Sequence, residues 1–142
     1  MEDVIDFHGA KVALFVDDQL LVYRRDNKPD IPFPDMWDLP GGGRENEESG
    51  AACVARETHE EFGISIDAAA LEFVQHYENW RGANSRRALF FIGQLSQEQV
   101  AAIVFGEEGQ HWRMMAVSEF LASEQAVPHL QERLRDYLDQ PA

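Results

Sequence analysis

Residues 41–64 read GGGRENEESGAACVARETHEEFGI, and the reading of the whole chain turns on them. A run of three glycines leads through a short acidic loop into a segment with helical spacing. Ser49 is suited to cap that helix, and Gly63 to end it in a left-handed turn. Near its end Glu57, Glu60 and Glu61 stand at i, i+3 and i+4, so three carboxylates crowd one face. Ala51, Ala55, Thr58 and Phe62 share another sector, which is expected to be the buried side, opposite the carboxylates.

Like charges packed this way repel one another. They make sense together if a hard divalent cation, Mg²⁺ or Mn²⁺, takes them as oxygen ligands; the plainer reading is a solvated acidic face. Arg56, one residue before the first of them, is placed to pair with the carboxylates and hold them. Thr58, on the buried side, needs a partner for its hydroxyl, most simply the carbonyl one turn back.

The spacing of the stretch decides between the two readings. Gly42, Glu48, Arg56, Glu57, Glu60, Glu61 and Gly63, followed by apolar Ile64, resemble the Nudix box, G-x5-E-x7-R-E-U-x-E-E-x-G-U with U apolar. Thr58 stands where that pattern has an aliphatic residue. The resemblance implies an α/β fold, a Nudix-type α/β/α sandwich with a mixed sheet and a loop-helix-loop catalytic motif. It implies hydrolysis of a nucleoside diphosphate linked to a further group X. Under it Gly41 (through its carbonyl), Glu57, Glu60 and Glu61 are the metal ligands, and Glu57, Glu61 or Glu108 is the catalytic base. Arg56 supports them, and Arg25 and Gly42 meet the substrate.

At 142 residues with a formal charge of −14, the chain is expected to form one domain, residues 1–142, of an ordinary acidic globular protein. Such a charge argues against a polymeric nucleic-acid partner, which needs Lys and Arg spread over a surface. It leaves small phosphorylated substrates open. No segment reaches membrane-spanning length and no leader pattern opens the chain, so a cytoplasmic location is expected. Cys53 is the single cysteine and reads as a packed small residue, not a nucleophile. The five histidines show no zinc-ligand spacing.

In chain order, KVALFV (11–16) and LLVYRR (20–25) read as a strand pair turning at Asp17-Asp18-Gln19. Residues 26–36 hold Pro29, Pro32 and Pro34 and read as a stiff loop. Phe33 and Trp37 fit either a nucleoside pocket or the core, with core favoured for Trp37. LEFVQHYENW (71–80) and RRALFFIGQL (86–95) read as strands joined by a polar turn at 81–85, and QEQVAAIV (97–104) as a short helix or turn. Glu108-Gly109-Gln110 resembles an E-G-Q segment of mutator-type Nudix enzymes, with Glu107 as the other candidate there. The chain closes in two helical pieces around Pro128, with Val127, Leu130, Leu134 and Leu138 as an apolar stripe.

The E-G-Q segment and the small size point to a (deoxy)nucleoside triphosphate, giving a monophosphate and pyrophosphate. An NDP-sugar or dinucleotide pyrophosphatase is the alternative, and a nucleotide-binding domain of the same fold without turnover is the reading from another class. SEQAVPHL offers no asparagine to read an oxidised guanine, and no proline lies between Pro40 and Pro128 to suggest ADP-ribose.

Overall fold

The computed structural model describes residues 7–77 and 87–140. Two long strands lead, β1 (Phe7–Val16) and β2 (Gln19–Arg24), joined by a tight turn in which Asp17 adopts φ 53°. Short strands β3 (Trp37–Asp38) and β4 (Gly41–Gly43) follow, then helix α1 (Gly50–Phe62). After a 3-10 turn at Ala68–Ala70 come β5 (Glu72–Tyr77), β6 (Arg87–Gln94) and the short helix α2 (Gln97–Ala101). Strand β7 (His111–Ala116) and helices α3 (Val117–Ala122) and α4 (Pro128–Leu138) complete the described chain. The turn expected at 81–85 lies outside the described residues.

All the strands share one sheet in the order β3-β2-β1-β6-β5, with β4 on β1 and β7 on β2. Strand β1 is its spine. Its outer half pairs antiparallel with β4 and its end with β2, while β6 runs parallel along its other edge from Phe7 opposite Arg87 to Phe15 opposite Gln94. Such a mixed sheet must be covered on both faces. The two-residue period of β1 sends Val12 and Leu14 to the α1 side with Cys53, Val54 and Phe62. It sends Ala13 and Phe15 to the other side, with Phe120, Leu130 and Leu134 of α3 and α4. This is the α/β sandwich with a mixed sheet that the sequence predicts.

The caps of α1 form as expected. Ser49 accepts the Ala52 N–H, and Gly63 at φ 68° donates to the His59 carbonyl. The short helix α2 is closed by a reciprocal Ser96–Gln99 capping box. The strands expected at 20–25 and 86–95 form close to their apolar runs, β1 begins at Phe7, four residues before the run expected at 11–16, and β3 and β4 were not expected. The W-D-L-P-G-G lead-in is too short and too rich in Gly and Pro to carry a period-2 signal, yet both pieces pair with neighbours in the sheet.

The buried stripe of α1 is Gly50, Cys53, Val54, Thr58 and Phe62, so Ala51 and Ala55 are only partly covered. Glu57 and Glu61 therefore flank the stripe instead of lying opposite it, because a helix resting flat on a sheet covers more than a third of its circumference. In α4, Leu130 and Leu134 are buried but Leu138 is 44% exposed, and the charged Arg133 takes a buried position at 4%. Among the described residues no helix is long and apolar enough to cross a membrane.

Thr58 also departs from expectation: its hydroxyl is fully buried and has no hydrogen-bond partner among the described residues. A buried unmatched hydroxyl costs about 1–3 kcal/mol. Replacing Thr58 by the near-isosteric valine is expected to raise the melting temperature by about 4 °C. Differential scanning calorimetry checks this, and a lowered melting temperature would mean that the hydroxyl is satisfied in solution.

Candidate active site

The site is built where the glycine strand β4 meets the last two turns of α1. Arg56 fastens the two. Its guanidinium binds Glu48 through Nη2 at 2.7 Å and Nε at 3.1 Å, reaches the Gly43 carbonyl at 2.9 Å, and holds Glu60 at 2.9 Å. The forked pair with Glu48 is the strong geometry for an arginine and a carboxylate, and it holds the Glu48 carboxyl below its usual range. The helix is thereby locked to the loop that precedes it.

With α1 fixed, Glu57 and Glu61 are pressed toward β4. A β-carbon placed on Gly42 would stand 2.1 Å from Glu57 Oε2, so only glycine leaves the carboxylate its place. Glu61 Oε1 accepts the Gly41 N–H at 3.1 Å. Gly41 itself adopts φ 131° with its backbone tight on Ala10 and Lys11, which no side chain would permit. Burial raises the proton affinity of Glu57, with Glu60 and Glu108 adding to it and Arg56 and Lys11 opposing. Burial pushes Glu61 up to about 8, against the pull of Lys11 and the Gly41 N–H.

Of the four expected metal ligands, then, Glu57, Glu61 and Gly41 converge, and Glu60 does not join them. Its side chain is 52% exposed and turned to Arg56, its i−4 neighbour on the helix. Among the described residues no group of three or more His, Cys, Asp or Glu side chains is gathered as a ready metal cluster. The chemistry of the donors nevertheless suits a hard divalent cation: two desolvated carboxylates one turn apart on the helix, with the Gly41 N–H on Glu61 and the Gly41 carbonyl accepting from Lys11 Nζ at 3.4 Å.

Glu108 is exposed, on the loop between α2 and β7, and is near enough for its charge to act on Glu57. That loop is tied at both ends: Gly106 donates to the Glu61 carbonyl and Gln110 to the Arg24 carbonyl, each at 2.8 Å. The Gln110 side chain adds bonds to the Arg25 carbonyl and to Asp35 at 2.8 and 2.7 Å. Glu107 is exposed as well.

On the other face of the sheet lies a cleft of about 310 Å³ that Lys11, Arg25, His129 and Arg133 line together with Gly42 and Gly43. Behind it is a residue that the sequence reading passed over. Asp38, fully buried, accepts from Arg25 Nη1 at 2.9 Å, the Tyr23 hydroxyl at 3.0 Å and Lys11 Nζ at 3.1 Å. Although burial alone would raise it, Lys11 and Arg25 hold the Asp38 carboxyl below its usual range. The only hint in the sequence was an aspartate and a lysine inside otherwise apolar strand segments. Arg25 follows β2 and turns to the cleft, also bonding the Pro32 carbonyl at 3.0 Å. Arg24, on the same side of the sheet as Val22 by strand alternation, pairs with Asp35 and Gln125, each at 2.9 Å, and lies over the Trp37 ring. Trp37 is a half-buried ring between Arg24 and Arg113 with one side on the core. Phe33, at φ 51°, sets its ring 5.3 Å from that of His129. Cys53 is buried with its thiol pushed up to about 12, as an inert packing residue should be.

The low proton affinity of Asp38 links it to stability. Its contribution is present above the unfolded carboxylate range, near pH 4, and is lost as pH falls through the lower folded value. Asp38→Asn is expected to destabilise the fold by about 3 kcal/mol near neutral pH, because Lys11 and Arg25 lose their buried counter-charge. The variant should also lose part of the acid-side slope of stability. Urea unfolding between pH 3 and 7 reads both, and an unchanged slope would remove Asp38 from this role.

Comparison with known proteins follows the same lines. The NUDIX domain family model matches residues 7–137. No curated protein sequence matches. Among solved structures, a MutT NUDIX hydrolase from Burkholderia pseudomallei aligns with TM-score 0.69 at 19% identity, over 93% of this chain and 96% of that one. A MutT/nudix family protein from Enterococcus faecalis aligns with TM-score 0.61 at 21% identity, over 80% of this chain and 44% of its own. A bifunctional NMN adenylyltransferase/ADP ribose pyrophosphatase from Francisella tularensis, complexed with AMP and a Mn ion, gives 0.64 at 17% identity, over 98% of this chain and 43% of its own. The chain thus spans less than half the length of the last two, and at these identities the likeness is one of fold. With its box intact and the family model covering nearly its whole length, the chain belongs to the Nudix family of phosphoanhydride hydrolases.

Proposed function

We infer that the protein hydrolyses a nucleoside diphosphate linked to X, with a (deoxy)nucleoside triphosphate as substrate and a nucleoside monophosphate and pyrophosphate as products. The observation that carries this is the pairing of two desolvated carboxylates, Glu57 and Glu61, with a cationic cleft across the glycine strand. The first suits a metal; the second suits an anion.

Mg²⁺ or Mn²⁺ would be held by Glu57, Glu61 and the Gly41 carbonyl, with Glu60 swinging in from Arg56. When bound, such an ion offsets the charge of the diphosphate and makes a water more acidic. The remaining work belongs to the chain. Lys11 and Arg25, steadied by Asp38, face the substrate's phosphate oxygens, and Gly42 and Gly43 let the diphosphate lie close to the backbone. Water attacks phosphorus, the anhydride P–O bond breaks, and pyrophosphate leaves with its electron pair.

The water's proton passes to a carboxylate, and a good acceptor has a proton affinity near the working pH. Glu61 meets that condition through burial, Glu57 is shifted in the same direction by burial, and Glu108 approaches from outside the helix. Arg56 never touches the reacting atoms in this scheme; it keeps α1 seated. The partner is a small nucleotide, and the working location is the cytoplasm. An NDP-sugar or dinucleotide remains the second reading, favoured by the likeness in fold to the ADP ribose pyrophosphatase of Francisella tularensis.

Glu61→Gln keeps an oxygen to accept the Gly41 N–H and is expected to remain folded. Its turnover should fall at least about 10²-fold, the size for a general-base or charge-stabilising group. Phosphorus NMR of Mg²⁺ incubations with triphosphates, NDP-sugars and dinucleotides identifies the products. Near-normal turnover in the variant would overturn the role of Glu61, and two monophosphates from a sugar nucleotide would move the function to the second reading.

A further inference from the structure

The loop between α2 and β7 crosses from the end of α1 to the end of β2 and is fastened at each. At the α1 end Val104 donates to the Phe62 carbonyl at 2.9 Å and Gly106 to the Glu61 carbonyl at 2.8 Å. Between them the Phe105 ring packs on Phe62 of α1 and Tyr23 of β2, with ring centres 5.6 and 6.2 Å away. A β-carbon on Gly106 would stand 2.8 Å from the Glu60 carbonyl oxygen, so the loop lies hard against the last turn of the helix. At the other end Gly109 takes φ 92°, and a β-carbon there would meet the Arg24 carbonyl oxygen at 3.0 Å.

Gln110 makes the second fastening. Its backbone N–H donates to the Arg24 carbonyl at 2.8 Å, and Nε2 of its side chain donates to the Arg25 carbonyl at 2.8 Å and to Asp35 Oδ1 at 2.7 Å. The same Asp35 oxygen accepts from Arg24 Nε at 2.9 Å, and the Asp35 N–H is bonded to the Asp26 carbonyl at 3.0 Å. One primary amide therefore joins three pieces of chain: the loop, the end of β2 and the proline-rich stretch after it. A hydroxyl has one hydrogen to give and a carboxylate none, so neither could replace it. Glu108 lies midway between the fastenings at Gly106 and Gln110, and its charge is felt at Glu57. A side chain on so short a span is placed by the ties at its ends.

We propose that Gln110 is a positioning residue for the hydrolysis: by fastening the loop to β2 and to Asp35, its amide holds Glu108 beside Glu57. Gln110 contacts no reacting atom and acts through Glu108. The proposal rests on the reading above in which Glu108 takes part in the reaction.

The test compares Gln110→Ala, which removes both side-chain bonds, with Gln110→Glu, which keeps the shape but offers no hydrogen to Asp35. In each, kcat for the nucleotide that the wild type hydrolyses best should fall at least about tenfold with KM kept, as for a misplaced catalytic group. Removing Glu108 makes its placement irrelevant, so adding Gln110→Ala to Glu108→Gln should cost nothing more than Glu108→Gln alone. Amide hydrogen exchange of the metal-free protein reads the fastening without turnover. The amide at position 110 should exchange about tenfold faster in Gln110→Ala, which has lost two hydrogen bonds, while β1 stays protected as in the wild type. Unchanged exchange at 110, or normal kcat in either variant, would overturn the proposal. So would a rise in KM with kcat kept, which would place the effect on Arg25, or full additivity with Glu108→Gln. Normal turnover in Glu108→Gln would remove Glu108 from the reaction and the proposal with it. A loss in Glu108→Gln with none in the Gln110 variants would sink the proposal and leave the role of Glu108 standing.

Discussion

A fully buried carboxylate holds the cleft side of this molecule together. Asp38 gathers donors from β1, from β2 and from the residue that follows β2, and its other oxygen takes the Leu39 N–H at 2.7 Å. Two of these partners have a second duty. Lys11 reaches on to the Leu39 and Gly41 carbonyls, and Arg25 to Pro32 in the stiff loop. Burying such a charge is costly unless its hydrogen bonds are complete, and here they are supplied by groups that must themselves be fixed in place. The cost of the network is what orients the cleft.

Much of this was legible in the sequence, for identifiable reasons. The caps of α1, the long strands and the short helix after β6 follow from local rules that need no knowledge of the rest of the chain. The box spacing pointed to Glu57, Glu61 and the Gly41 carbonyl; Glu57 packs on Gly42 and Glu61 accepts the Gly41 N–H. Other features depend on tertiary context. Helical periodicity shows which residues share a face but not how the helix lies on its sheet, and so Glu57 and Glu61 were assigned to the wrong side of α1. Strands of two or three residues carry no period, which hid β3 and β4. Lys11, Asp38 and Arg133 gain meaning only through partners far off in sequence, and a charged residue in an apolar run does not name its partner.

Charge is sorted by the sheet. Glu57 and Glu61 crowd against one side of the glycine strand, while Lys11, Arg25 and Arg133 look into the cleft on the other. Net charge describes the average surface and says little about such a boundary. Gly42 touches both: its missing β-carbon leaves room for Glu57, and its backbone lines the cleft.

The parallel pairing of β1 with β6 carries a further consequence, for the way the protein comes into being. β1 is made first, but its long edge stays open until residues 87–94 have been added. Closing a loop of that length precedes any gain from the pairing, and long-range parallel contacts form slowly. During synthesis the apolar run of β1 therefore waits, paired at most with β2 and β4, as a strand edge open to other chains. The spine of the finished sheet is the most vulnerable segment of the nascent one.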